Sequence, residues 1–176
     1  IETHEKIDRA VRGMQLLREG LGPNIDIGVD FHAKTSPSVA SILVKEVEPL
    51  NLLFIEEPCP PENVAAMARI ARGSTTPIAT GGRLVAHYGC RELIEMGVID
   101  ILQTDIEDLD SLELPNTLSV LPVMRPRSIS ACALPGRVLF EGPMSGTGQT
   151  TDWEVAADLA RGCQVILAGG LNPLNV

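Results

Sequence analysis

Residues 27–56, IGVDFHAKTSPSVASILVKEVEPLNLLFIE, switch between two hydrophobic periods, and that switch decides the fold. Ile25 to Phe31 reads as a strand. Ser36-Pro37 then opens a helix, because proline is tolerated in a first helical turn. Val39, Leu43, Val47 and Leu50 recur at helical spacing along one face. Leu52 to Ile55 is a continuous apolar run, the mark of a strand buried on both sides. Strand, helix and strand joined by short links make a parallel βαβ unit.

The same rhythm extends in both directions. Upstream, Ile7, Val11, Met14 and Leu17 predict a helix over residues 1–20 that stops at Gly20, Gly22 and Pro23. Downstream, Pro60-Pro61 predicts a helix through Val64, Met67 and Ala71, followed by a strand at Pro77 to Thr80. A helix is expected at Cys90 to Met96 and a strand at Val98 to Gln103. The rhythm breaks after Asp105, where an acidic patch precedes an apolar stretch cut by Pro115, Pro122 and Pro126. One strand is expected around Ser119 to Met124, resumed at Arg127 to Ser130. Alternation returns with a strand at Val138 to Glu141, a glycine loop at 144–151 and a helix from its N-cap Asp152 to Arg161. A strand at Gln164 to Ala168 and a helix start at Asn172-Pro173 follow. The sum is seven strands, or eight. A complete (β/α)8 barrel takes about 250 residues, so the expectation is one short or incomplete TIM-like α/β barrel of parallel strands.

Composition excludes several classes. The 176 residues are 44% apolar and 21% charged, as in an ordinary globular domain. The net charge of −9 argues against a nucleic-acid partner, which would call for a basic stripe. The apolar runs are too short to span a membrane. No signal peptide is visible, and the missing initiating Met suggests a fragment or a processed chain. Cys59, Cys90, Cys132 and Cys163 are scattered without metal or redox spacing, which fits packing roles in a reducing cytoplasm.

Asp30, Glu56 and Gly82 follow one another at intervals of 26 residues, each at the C-terminal end of an expected strand. That end is where chemistry collects in such barrels. Carboxylates there could cap helices or pair with Lys and Arg; three together would make an oxygen cage for Mg²⁺. Such an ion would stabilise the enediolate formed by proton removal α to a carboxylate.

The strings IGVDFH, LLFIEEP, PIATGGRL and IDILQTD resemble the strands of D-galactonate dehydratase-type acid-sugar dehydratases, in the mandelate racemase group of the enolase superfamily. The resemblance covers residues 1–105. It implies that Asp30 and Glu56 are metal ligands, that His32 is a general acid aiding the leaving hydroxyl, and that Asp105 orients a catalytic His. It also implies Mg²⁺ as cofactor. The sequence departs from the pattern at Gly82, where the family has its third ligand, a Glu. The His expected one strand after Asp105 is missing, with Cys132 near its place. A lid domain of the family's kind is not expected in these residues. Glu57 is read as a hydrogen-bonded barrel residue rather than a ligand.

Residues 137–176 carry a second signature. RVLFEGP, SGTGQTTDW and QVILAGGLNPLNV resemble the phosphoribosylanthranilate isomerase family, another (β/α)8 enzyme. Glycine turns before helix starts suit a phosphate, because backbone amides can approach it closely. The resemblance makes Gly146, Gly148, Gly169 and Gly170 candidate phosphate-binding residues. It puts Glu141 where the family has the Asp that opens the sugar ring. Residues 106–136 match neither pattern.

Three functions are therefore in play. The first is a chimeric or engineered barrel scaffold without efficient native catalysis. The second is a residual Mg²⁺-dependent dehydratase acting on a sugar acid. The third is a phosphosugar-binding or isomerase-like module. An incomplete barrel also exposes strand edges, so self-association is expected.

Overall fold

The structure is a computed structural model that describes residues 3–84, 86–105, 118–129, 134–144, 147–172 and 174–175. Its elements run α1 (His4–Leu21), β1 (Gly28–Asp30), α2 (Pro37–Glu46), β2 (Phe54–Glu56), α3 (Val64–Arg72), β3 (Ile78–Thr80), α4 (Ala86–Glu95) and β4 (Ile101–Leu102). There follow β5 (Ser119–Val120), β6 (Val123–Met124), β7 (Arg137–Phe140), α5 (Trp153–Leu159) and β8 (Gln164–Leu167). Short 3₁₀ turns occupy Glu48–Leu50 and Pro126–Ser128.

Strands β1 to β5 form one parallel sheet in sequence order, and β6, β7 and β8 form a second. The two are continuous. Ile101 pairs with Ser119, Leu102 with Val120 and Asp105 with Val123, all at one register offset. The Leu121 and Val123 amides donate to Leu102 and Thr104, at 2.9 and 2.8 Å. β5 and β6 are thus one strand interrupted at Pro122, which has no N–H to donate. The strand expected around Ser119 to Met124 is present.

In a flat sheet, β2 and β7 would lie four strand spacings apart, roughly 19 Å. Yet the Glu141 charge, just past β7, acts on Glu56 at the end of β2, so the sheet curls. Phe54, Ala79, Leu121, Val123 and Leu139 pack on the inner face, with Ile101 and Ile166 against them. Outside, α1, α2 and α3 bury Ile7, Val11, Leu43, Val44, Met67 and Ile70 against Ile55, Ile78 and Leu102. A smaller outer cluster packs Ala156 and Leu159 of α5 on Val138 and Phe140. Among the described residues β1 pairs only with β2 and β8 only with β7, so no ladder closes the barrel.

Local side-chain caps start two of the expected helices. Ser36 caps α2 with its side chain, and Asp152 caps α5 by accepting from the Glu154 and Val155 amides. Three expectations need correction. The strand resumed at Arg127 to Ser130 is a 3₁₀ turn over Pro126–Ser128, because Pro126 starts the turn with its fixed φ. α3 begins at Val64 rather than at Pro60-Pro61, where Asn63 supplies the cap by accepting from the Ala66 amide. α4 begins at Ala86, one turn before Cys90. Asn172 to Asn175 makes a turn, with the Asn175 amide on the Asn172 carbonyl at 3.1 Å.

One tether escaped the sequence reading. Arg18 donates from Nε to the Leu50 carbonyl (3.0 Å) and from Nη1 to Gly22 (3.0 Å) and Ile25 (2.6 Å), while Nη2 reaches Asn51 (3.2 Å). It ties the end of α1 to the entries of β1 and β2.

Candidate functional site

Asp30 and Glu56 are register partners in the parallel ladder, so both carboxyl groups leave neighbouring strands at the same level. Beyond β1 the chain turns sharply, with His32 and Ala33 in the left-handed region. The turn hangs on the next strand, for the Phe31 and Ala33 amides donate to the Glu56 and Glu57 carbonyls, at 2.9 and 3.0 Å. It folds His32 back over Asp30. The His32 amide donates to Asp30 Oδ1 at 2.5 Å, and Nδ1 stands 3.3 Å from Oδ2.

Glu57 also has a positive φ, with its amide on the Ala79 carbonyl at 2.9 Å. Its side chain is buried beside Asp30 and His32. One donor atom from each of Asp30, His32 and Glu57 lies within 4.8 Å of the other two. Arg83 Nε approaches Glu57 Oε2 at 3.8 Å. Glu56 instead accepts from Gln103 Nε2 at 3.0 Å.

The electrostatics follow from crowding acids in a low-dielectric mouth. Burial raises the Asp30 carboxyl above its usual range, partly offset by the His32 amide and by the His32 charge. Glu56 is pushed up to about 8, first by burial and then by Asp30; the Gln103 bond opposes this, and Glu57 and Glu141 add to it. Glu57 is pushed up to about 7 by burial and Asp30, with Arg83 opposing. A bound cation would reverse this repulsion.

The far side of the mouth is built around Arg125. Val123 points inward, so Arg125, two residues on, shares its face. Its Nη1 pairs with Asp105 Oδ1 and its Nη2 with Glu141 Oε1. Burial works against the guanidinium charge, but the bonds to Asp105 and Glu141 outweigh it and raise the pKa.

Of the candidate residues, Asp30, His32 and Glu56 are brought together, and Asp105 and Glu141 are joined through Arg125. Two members were missed as site residues. Glu57 could have been suspected from the doubled acid before Pro58, and Arg125 from a lone charge closing an inward strand. Gly146 and Cys132 lie outside the described residues. Gly169 and Gly170 have positive φ, and a Cβ on Gly170 would stand 2.6 Å from the Gly148 carbonyl oxygen. These glycines let loop 147–151 lie directly on the turn at 169–170. Beside Gly148 itself there is open space.

The residues present do not fit Mg²⁺ in the expected way. Two strand ends offer carboxylates, but Gly82 offers none. Among the described residues an added Cβ there would meet nothing within 4 Å, so none of them crowds the third position. Mg²⁺ sheds water reluctantly and needs a near-octahedral oxygen set.

Residues 1–112 match the family described as enolase C-terminal domain-like, and residues 123–176 match N-(5'phosphoribosyl)anthranilate (PRA) isomerase. A D-galactonate dehydratase from Cronobacter sakazakii is 39% identical over 106 residues, which is 60% of this chain and 28% of the relative. An L-rhamnonate dehydratase from Gibberella zeae superposes with a TM-score of 0.57 at 32% identity, over 60% of this chain and 27% of that one. A racemase from Streptomyces coelicolor A3(2), solved with bound magnesium, gives 0.56 at 28% identity over 58% and 29%. The chain therefore spans 28% of the length of the curated relatives it matches. With a match over 112 of its 176 residues, this chain belongs to the enolase C-terminal domain-like family.

Proposed function

We propose that the chain is a chimeric βα-barrel scaffold, possessing no efficient catalysis of its own. It joins an acid-sugar dehydratase-like segment, residues 1–105, to a phosphoribosylanthranilate isomerase-like segment, residues 137–176. Arg125 is the observation that carries this reading. It engages both Asp105 and Glu141, the two acids that the respective resemblances would put to work. Both carboxylates are engaged in ion pairs with the arginine rather than with a histidine or a sugar ring. On the dehydratase side, Gly82 withholds the third carboxylate, so the charge needed to stabilise an enediolate is short of its support.

A second reading, a residual dehydratase, is favoured by the adjacency of Asp30 and Glu56 and by His32 folded over Asp30. Its substrate would be a sugar acid, with His32 protonating the departing hydroxyl. The compartment would be the cytoplasm, consistent with thiols at Cys59 and Cys163. Among the described residues no helix is long and apolar enough to cross a membrane.

The test is an assay of the purified chain with D-galactonate and related sugar acids plus Mg²⁺, and separately with phosphoribosylanthranilate. No turnover above the uncatalysed rate is expected from either. Dehydration that disappears in Asp30→Ala would replace the scaffold reading with the dehydratase one. Isomerisation that disappears in Glu141→Gln would replace it with the isomerase one.

A further inference from the structure

The donor set gathered at the ends of β1 and β2 differs from the one the strand spacing suggests. It contains Glu57 rather than Glu56, which is occupied by Gln103. Glu57 is 2% exposed, and its Oε1 is buried without a hydrogen-bond partner. A buried carboxylate oxygen left unmatched calls for a cation or a proton. Arg83 does not meet the need, because its Nε stands 3.8 Å from the other oxygen and its side chain is 47% exposed. The third donor is an imidazole nitrogen. Two oxygens and one imidazole suit first-row transition ions, whereas Mg²⁺ prefers oxygen throughout.

We propose that Asp30, His32 and Glu57 form a binding site for a divalent transition ion of the zinc, cobalt and nickel class in preference to Mg²⁺. The ion sits among the three donor atoms and satisfies the orphaned Glu57 oxygen. His32 Nδ1 faces Asp30 Oδ2 at 3.3 Å, which sets an imidazole nitrogen beside a carboxylate oxygen. Ligating groups bind a metal in their deprotonated forms, so binding weakens as the pH falls. Three protein ligands leave at least one coordination position for water. The site does not depend on whether the chain is a scaffold or a residual dehydratase.

Chelator-stripped protein titrated with Co²⁺, Ni²⁺, Zn²⁺ and Mg²⁺ by calorimetry tests the site, with visible absorption of the Co²⁺ form reporting imidazole ligation. The expected result is one Co²⁺ per chain, bound at least about tenfold more tightly than Mg²⁺. His32→Ala and Glu57→Gln should each weaken Co²⁺ by about tenfold or more, while His4→Ala and His87→Ala leave it unchanged. Should Glu57→Gln fail to fold, His32→Ala decides alone, since His32 lies in a turn and is only partly buried. Equal affinities for Co²⁺ and Mg²⁺, or undiminished Co²⁺ binding in His32→Ala, would overturn the proposal.

Discussion

Asp30 and Glu56 stand side by side on adjacent parallel strands, as direct partners in the ladder. Their proximity, added to burial, makes stability depend on pH in an unusual direction. Glu56 is raised to about 8 and Glu57 to about 7 in the folded chain, against about 4.3 for an unfolded glutamate. Between those limits the folded state holds more protons than the unfolded state, so these groups lower stability as the pH rises. The melting temperature should fall from pH 5 to pH 8 and then level off. Glu56→Gln should remove much of that slope and stabilise the chain at pH 8 by on the order of 2 kcal/mol. A melting profile of the variant with the wild-type slope would show that Glu56 is not the titrating group.

Gly81 and Gly82 should respond oppositely to side chains. Gly81 has φ +137, and a Cβ would stand 2.3 Å from the Gln103 carbonyl oxygen. Gly81→Ala should cost about 2 kcal/mol or more, read from urea denaturation. Gly82 has no such neighbour, so Gly82→Glu should fold normally and increase Mg²⁺ affinity in calorimetry by supplying the third carboxylate. No gain in affinity would mean that the strand ends do not hold the cage geometry.

Arg125 offers a double-mutant cycle. Arg125→Met leaves Asp105 and Glu141 without their shared cation and should destabilise by about 3 kcal/mol. Adding Glu141→Gln to it should recover part of that loss, because one stranded charge is gone. Strictly additive effects in denaturant titrations would deny the coupling.

Among the described residues nothing pairs with the outer side of β8, and that edge should mediate self-association. The Gln164 and Ala168 amides donate inward to Gly136 and Phe140. Alternation along the strand leaves the Val165 and Leu167 amides on the free side. Light scattering should show mass rising with protein concentration, and Val165→Pro should lower it by removing one outward donor. A monomer at every concentration would speak against the edge as an interface.

Much of this architecture was legible beforehand because it is written locally. Periodicity marked α1, α2 and each strand up to Leu102. The Ser36 and Asp152 side chains announced the helices they cap, and the 26-residue interval placed Asp30 and Glu56 at neighbouring strand ends. These features depend on residues close in sequence, so short-range rules reach them. The proline-rich stretch was harder. Pro122 interrupts a strand without shifting its register, whereas Pro126 starts a turn, and the choice depends on which neighbouring strand is there to bond.

What only the tertiary structure decided is which acids meet which partners. Glu57 enters the site because a left-handed residue redirects its side chain, while Glu56, the expected ligand, is engaged by Gln103 from two strands away. Arg125 joins Asp105 to Glu141 across three adjacent strands. Such pairings depend on curl, register and burial acting over long separations. The sequence by itself therefore determined the elements and the strand ends that carry charge. The folded sheet determined which of those charges are buried, shared or left unmatched, because desolvation and Coulomb interaction depend on distances that no local pattern encodes.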